Sequence, residues 1–272
     1  MKRTILLALS MLVLAALLTG CGLGNFTISF GGKSFDVDDH EELAIDGVEK
    51  IEISSVSDEI TILSGGEKVM ADLTGECTSP SKPVWLEAYV SGSTIHIKVK
   101  YPQTISNSNT RLTVTLPAGY AGSMSVNTVS GDIAADGLPN KLQKTTVGTV
   151  SGDIRFSAAS YESMKANTTS GRIGLTGIAA RTEAGTVSGD VELDYIAFVE
   201  TSVKTVSGDV TARIPQNEGF KVDFNTVSGS FRTSHKGLDV DRAKGGFSAT
   251  VGDGTELIKV STTSGDFEIV GK

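Results

Sequence analysis

From residue 51 onward, apolar and polar side chains alternate in short runs. The clearest are Ile51/Ile53, Ile60/Ile62, Ile95/Ile97/Val99 and Leu112/Val114/Leu116. A period of two marks a strand with one buried face. Turn-forming stretches separate the runs, notably Ser64-Gly65-Gly66 and Ser106-Asn107-Ser108-Asn109, and such residues punctuate strands rather than extend them. No segment past the first twenty residues sustains a helical period. The pattern predicts an all-β protein.

Between Thr128 and Phe267 the alternation is organised into a repeat. Thr128-Val129-Ser130-Gly131-Asp132-Ile133 is its first clear copy. The runs from Thr149, Thr186, Thr205 and Thr262 keep the pattern, and those from Thr168 and Thr226 vary it. Successive serines lie 21, 19, 18, 19, 21 and 36 residues apart. The last gap reads as two periods, with a degenerate copy expected near Gly245-Gly246-Phe247. A weaker relative lies upstream in Val56-Ser57-Asp58-Glu59-Ile60, where the glycine is lost.

Within each copy the residue before the serine and the apolar residues three and five after it share one parity. The apolar residue four before the serine has the other parity. The pattern therefore slips by one residue, as a bulge or a corner causes. The glycines at the slip (Gly131, Gly152, Gly171, Gly189, Gly208, Gly229 and Gly265) are expected to supply a backbone conformation that a Cβ resists. On this reading Val150, Val187, Val206 and Val227 form one buried stack, and Ile154, Val191, Val210 and Phe231 form the next. Repeats of this length fit two architectures. One is a β-solenoid (β-helix-like stack) of 18–21-residue coils, and the other is a ladder of antiparallel β-hairpins. Threonine recurring at one position favours the solenoid, because only parallel stacking brings each threonine onto the next.

The N-terminus carries a different signal. Lys2 and Arg3 precede an apolar run from Ile5 to Leu18, followed by Leu18-Thr19-Gly20-Cys21. A basic start, a short apolar segment and small residues before the cut make an export signal. The run is short for a membrane span, which needs roughly 20 residues. Leu18, Thr19, Gly20 and Cys21 resemble the lipobox of bacterial lipoproteins. That resemblance implies a diacylglycerol, with palmitate-type chains, on the Cys21 thiol and cleavage that leaves Cys21 first. Two acyl chains hold a protein to a membrane stably where one does not. The organisation expected is a signal peptide over 1–20, the lipidated cysteine with a tether and a lead-in strand over 21–48, an N-terminal β region over 49–118 and the Ser-Gly-Asp repeats over 119–272.

Loss of residues 1–20 leaves 22 basic against 32 acidic residues, a formal charge of −10. That balance argues against nucleic acid or an anionic lipid surface as an electrostatic partner. Cys77 is the one cysteine besides Cys21, so no intrachain disulfide framework or cysteine metal site arises. A buried, apolar role is expected for it.

The Thr-Val-Ser-Gly-Asp-Ile copies, preceded by Leu112-Thr113-Val114-Thr115-Leu116-Pro117, resemble a bacterial family of cell-envelope proteins known as "putative adhesin". The resemblance spans about residues 49–270. It implies repeated strands at the cell surface and brings no catalytic residue with it.

Site chemistry is sparse. His40, His96 and His235 stand apart from metal-ligand neighbours and are expected to be solvated. Gly148-Thr149-Val150-Ser151-Gly152 departs from the nucleophile elbow in its residues and precedes no helix. Asp132, Asp153, Asp190, Asp209 and Asp266 form a row with two readings. Each can accept hydrogen bonds from corner amides, or the row can be a weak cation site. Arg172 takes the aspartate position in its copy and is expected to lie between Asp153 and Asp190, relieving their repulsion. No cofactor, no metal and no enzymatic activity are expected. The sequence reads as a lipid-anchored protein on the extracytoplasmic face of a bacterial membrane, held there through Cys21 and presenting a repeat surface to an envelope polymer or protein. The alternatives are a regulatory or sensory envelope-stress lipoprotein acting on a membrane partner, and a wall-glycan enzyme built on a β-helix.

Overall fold

A computed structural model describes residues 32–178, 180–238 and 242–272. These belong to one compact unit, Gly32–Lys272. Among the described residues every regular element is a strand, and no helix is long and apolar enough to cross a membrane. The signal, Leu18, Thr19, Gly20 and Cys21 lie outside the described residues.

The strands form a two-faced parallel solenoid. On one face the strand Lys50–Ser54 pairs in parallel with Thr94–Lys100 on one side and Ser123–Asn127 on the other. The stack continues through the second halves of Ile133–Gly148 and Ile154–Asn167, then Arg181–Gly185 and Thr201–Lys204. The opposite face repeats the order with Asn107–Leu116, Glu59–Ser64, the first halves of the two long strands, Ile173–Ile178, Val191–Tyr195 and Val210–Ile214. Neighbouring copies run parallel, and the hairpin ladder is excluded.

The coils do not stack in chain order. The C-terminal strands Leu257–Ser261 and Phe267–Gly271 insert between the Ser207 coil and the Ser228 coil. At the other end, the coil of residues 50–64 likewise lies inside the later coil of residues 94–116. Each end of the stack is then closed by antiparallel strands. Val69–Ser79, Lys33–Leu43 and Trp85–Ser91 close the first. Arg242–Lys244 and Phe247–Val251 close the second. The degenerate copy expected near Gly245-Gly246-Phe247 is therefore a cap. Gly245 turns in the left-handed region at φ 73°, where glycine meets no Cβ penalty, and joins the two cap strands.

Register sorts the core into columns. Ile60, Ile133, Ile154, Ile173, Val191, Val210, Phe267 and Phe231 stack in that order on one face and are buried throughout. Ile53, Val126, Val147, Ala166, Ala184, Val203, Val260 and Phe224 face them. Burying such a side chain stabilises by about 1.5–3 kcal/mol. Phenylalanine ends both columns at the C-terminal end. Phe224, Phe231 and Phe267 pack with centroids 5.6–6.5 Å apart, and Phe247 of the cap stacks on Phe231 at 4.3 Å. Cys77 is buried, and its sulfur accepts a 3.4 Å hydrogen bond from the Val84 amide.

Candidate binding surface

The Thr-Val-Ser-Gly-Asp segment forms the corner that joins the two faces. Thr149 points inward, and its Oγ1 donates to the Gly131 carbonyl at 3.2 Å while accepting the Gly152 amide at 3.1 Å. Thr168 does the same between Gly152 and Gly171. The hydroxyls of Thr186, Thr205 and Thr262 are buried in the same position without a hydrogen-bond partner among the described residues. Threonine is thus the residue that turns the corner from inside.

The glycines are required for closeness. None of Gly131, Gly152, Gly171, Gly189, Gly208, Gly229 and Gly265 has a left-handed φ. A Cβ on Gly152 would instead overlap the Gly131 carbonyl oxygen, and one on Gly171 would overlap that of Gly152. The chain of contacts runs on through Gly189 and Gly208 to Gly265 and then Gly229, retracing the stack order. The expected reason, an unusual backbone conformation, gives way to the approach of one backbone onto the next.

With threonine and glycine both inward, the two residues between them are forced out. The valine column expected in the core is on the surface. Val56, Val129, Val187, Val206 and Val227 are 49, 41, 48, 48 and 83% exposed. Val150 is half-buried, and Thr169 and Thr263 complete the row. The parity slip falls at Val-Ser, so valine shares the glycine's parity on paper and lies on the other side in space. The following column, Ile154, Val191, Val210 and Phe231, is buried as expected. Val206→Asp should consequently change stability by no more than about 0.5 kcal/mol, as surface substitutions usually do. Thermal melts of the variant and wild type check this.

The aspartates occupy the next outward row, and each reaches along the stack. Asp132 Oδ1 accepts the Asp153 amide at 2.8 Å, and Asp153 Oδ1 accepts the Arg172 amide at 2.8 Å. Asp190 accepts from Asp209 at 3.1 Å, Asp209 from Asp266 at 2.8 Å, and Asp266 from Ser230 at 2.8 Å. The carboxylates therefore bind corner amides, but those of the next coil rather than their own turn. Among the described residues no three His, Cys, Asp or Glu side chains are grouped to hold a metal ion. Arg172 sits one coil from Asp153 and from Asp190, yet among the described residues its guanidinium makes no ion pair. Arg155 pairs with Asp153 at 3.0 Å and lies 3.9 Å from Asp132, and Arg232 pairs with Asp266 at 3.1 Å. Repulsion in the row is offset by arginines two residues past the aspartate position, on the adjoining strand. Arg155 and Arg172 also edge a groove of about 490 Å³ floored by Ala134 and Gly174.

One buried charge escapes the sequence pattern. In the coil of residues 50–64, Asp58 holds the glycine position and Ser55 the threonine position, since Ile60 pairs with Ile133. Asp58 is buried, and its carboxylate accepts hydrogen bonds from the Ser55, Tyr101 and Thr110 hydroxyls. Burial, and then the Asp58 carboxylate, hold the Tyr101 phenol above its ordinary pKa. The missing glycine in Val56-Ser57-Asp58 is the signal that finds this site.

The histidines divide. His40 is exposed, and hydrogen bonds to Asp72 and Glu42 raise its pKa. His235 is buried, contrary to the solvated role expected. Its Nδ1 accepts the Gly237 amide at 3.2 Å, which leaves Nε2–H to donate to the Pro215 carbonyl at 3.2 Å, and its ring meets Phe220 edge-on.

No curated protein matches the chain. A solved structure of a "putative adhesin" from Bacteroides fragilis is similar over 87% of this chain and 97% of its own, at 12% identity and a TM-score of 0.43. A "putative adhesin" from Parabacteroides distasonis is similar over 87% and 97%, at 12% identity and 0.36. A "putative lipid binding protein" from the same organism is similar over 85% and 96%, at 15% identity and 0.36. Residues 139–270, which hold most of the repeats, match the sequence model of the Toastrack DUF4097 family. The resemblance carried by the Thr-Val-Ser-Gly-Asp copies is thus borne out, the repeat region being similar to the Toastrack DUF4097 family.

Proposed function

We propose that this is a non-enzymatic binding protein of the bacterial envelope, anchored by lipid on Cys21 and presenting its repeat corner to an envelope polymer or protein. One observation carries the reading. Eight coils place valine or threonine, then serine, then a mostly acidic residue outward in straight rows. A rigid, regular surface of this kind suits recognition, whereas catalysis needs dissimilar groups converging on one point. The negative charge points away from nucleic acid. The Leu18-Thr19-Gly20-Cys21 motif supports the anchor.

The test is cross-linking and capture of the tagged full chain from intact envelopes, alongside Cys21→Ser. The wild type should fractionate with membranes, take up labelled fatty acid and capture a defined partner. Cys21→Ser should take up no label and move to the soluble or unprocessed pool. A Cys21→Ser chain that labels and fractionates like the wild type would refute the anchor. A wild type that captures nothing above an untagged control would refute the binding role.

A further inference from the structure

The outward valine side chains serve neither the core nor the aspartate ladder. β-Branched residues suit strands, but threonine meets that need at Thr169 and Thr263 while staying polar. Valine stands instead at Val56, Val129, Val150, Val187, Val206 and Val227. Among the described residues, five of the nine exposed large apolar side chains fall on this single row. At the strand spacing of about 4.8 Å, eight layers extend it over about 34 Å. Exposed apolar side chains gathered in one place mark interaction sites, whereas scattered ones do not.

The flanking row says what would cover it. Asp132 and Asp153 share Arg155, and Asp266 has Arg232. Asp190 and Asp209 are adjacent in the stack, joined through the Asp209 amide, and among the described residues neither has a cation within 4 Å. Val187 and Val206 stand beside them, each half-exposed. An apolar strip edged by two uncompensated carboxylates complements a strip of the opposite charge.

We infer that the corner at Val187, Val206, Asp190 and Asp209 binds a polypeptide segment carrying apolar side chains beside lysine or arginine. This rests on the binding role proposed above and names its partner's chemistry. The apolar contact supplies affinity, and the carboxylates supply orientation and selection against acidic segments.

The full chain in neutral nanodiscs, with empty discs subtracted, can be titrated with short labelled peptides that alternate valine with lysine, serine with lysine, or valine with glutamate. The valine–lysine peptide should bind at least about tenfold more tightly than either other, a difference of about 1.4 kcal/mol. Val187→Thr with Val206→Thr keeps a residue that the row already contains, and should weaken binding about tenfold. Asp190→Asn with Asp209→Asn keeps the Oδ1 acceptor, and should weaken binding similarly while flattening its salt dependence. Equal binding of the valine–lysine and serine–lysine peptides, or wild-type binding by both double variants, would overturn the inference. So would a fall in self-association, seen by sedimentation, in the valine variant with peptide binding unchanged, since the row would then join two copies. If the double variants still capture the wild type's envelope partner, this inference fails while the binding role stands.

Discussion

Gly152→Ala is expected to destabilise the protein by about 3 kcal/mol or more, near the top of the range for overpacking. The new methyl would overlap the Gly131 carbonyl. That atom is backbone, held by the Thr149 hydroxyl and by the stack on both sides, so rotamer change cannot relieve the clash. For a domain of this size the loss corresponds to a fall in melting temperature of about 6–12 °C. Gly174 provides the contrast. It lies on a strand rather than a corner, and a Cβ there meets only the Ile154 carbonyl, at an ordinary 3.9 Å. Gly174→Ala should leave the melt unchanged or raise it slightly, because alanine restricts the unfolded chain. Similar effects from both substitutions would mean that the corners are not in backbone contact.

Asp58→Ala should have a comparable effect for a different reason. The substitution removes the acceptor shared by the Ser55, Tyr101 and Thr110 hydroxyls. Hydrogen bonds to a charged group contribute about 1.5–3 kcal/mol each, and buried donors left without acceptors add a further cost. A loss of about 3 kcal/mol is expected in thermal or denaturant unfolding. Asp58→Gly restores the residue that the later coils carry, yet should be no better than alanine. Tyr101 and Thr110, in the neighbouring coil, are held through the Asp58 carboxylate, which glycine lacks as fully as alanine does. A glycine variant as stable as the wild type would show that the network does not hold this coil.

The sequence pattern disclosed some of this and hid the rest for identifiable reasons. Period-two runs suffice for an all-β protein, because they are a property of single strands, and recurring threonine favours the parallel stack over the hairpin ladder that the pairings then exclude. Val187, Val206 and Val227 lie outside rather than in the expected buried stack, because parity fixes a side only while the strand is straight. The corner between Thr128 and Gly131 turns two successive residues outward. Stack order is absent from the sequence, since near-identical copies fit one another equally well in any order. The insertion of Phe267–Gly271 beside Val210–Ile214 is instead tied to the ends. Phe231 faces the cap residue Phe247, which suits the Ser228 coil to the outermost place. Asp58 and His235 were hidden because burial of a polar side chain depends on partners far away in sequence, here Tyr101, Thr110 and Pro215.

The claim on which the account depends is that parallel coils stack in an order different from their order in the chain. Paired cysteines on the exposed corner test it, since their side chains lie outside the core. Val206→Cys with Thr263→Cys places the two in adjacent layers, where Ser207 bridges Ser264 in parallel. In-register neighbours lie at about 4.8 Å, within disulfide range. Val206→Cys with Val227→Cys places them two layers apart, at about 9.6 Å, which is too far to bridge. After mild oxidation, mass spectrometry should find the 206–263 cross-link formed and the 206–227 cross-link absent. The reverse result, with 206 joined to 227 and not to 263, would mean that the coils follow the chain, and would contradict the account.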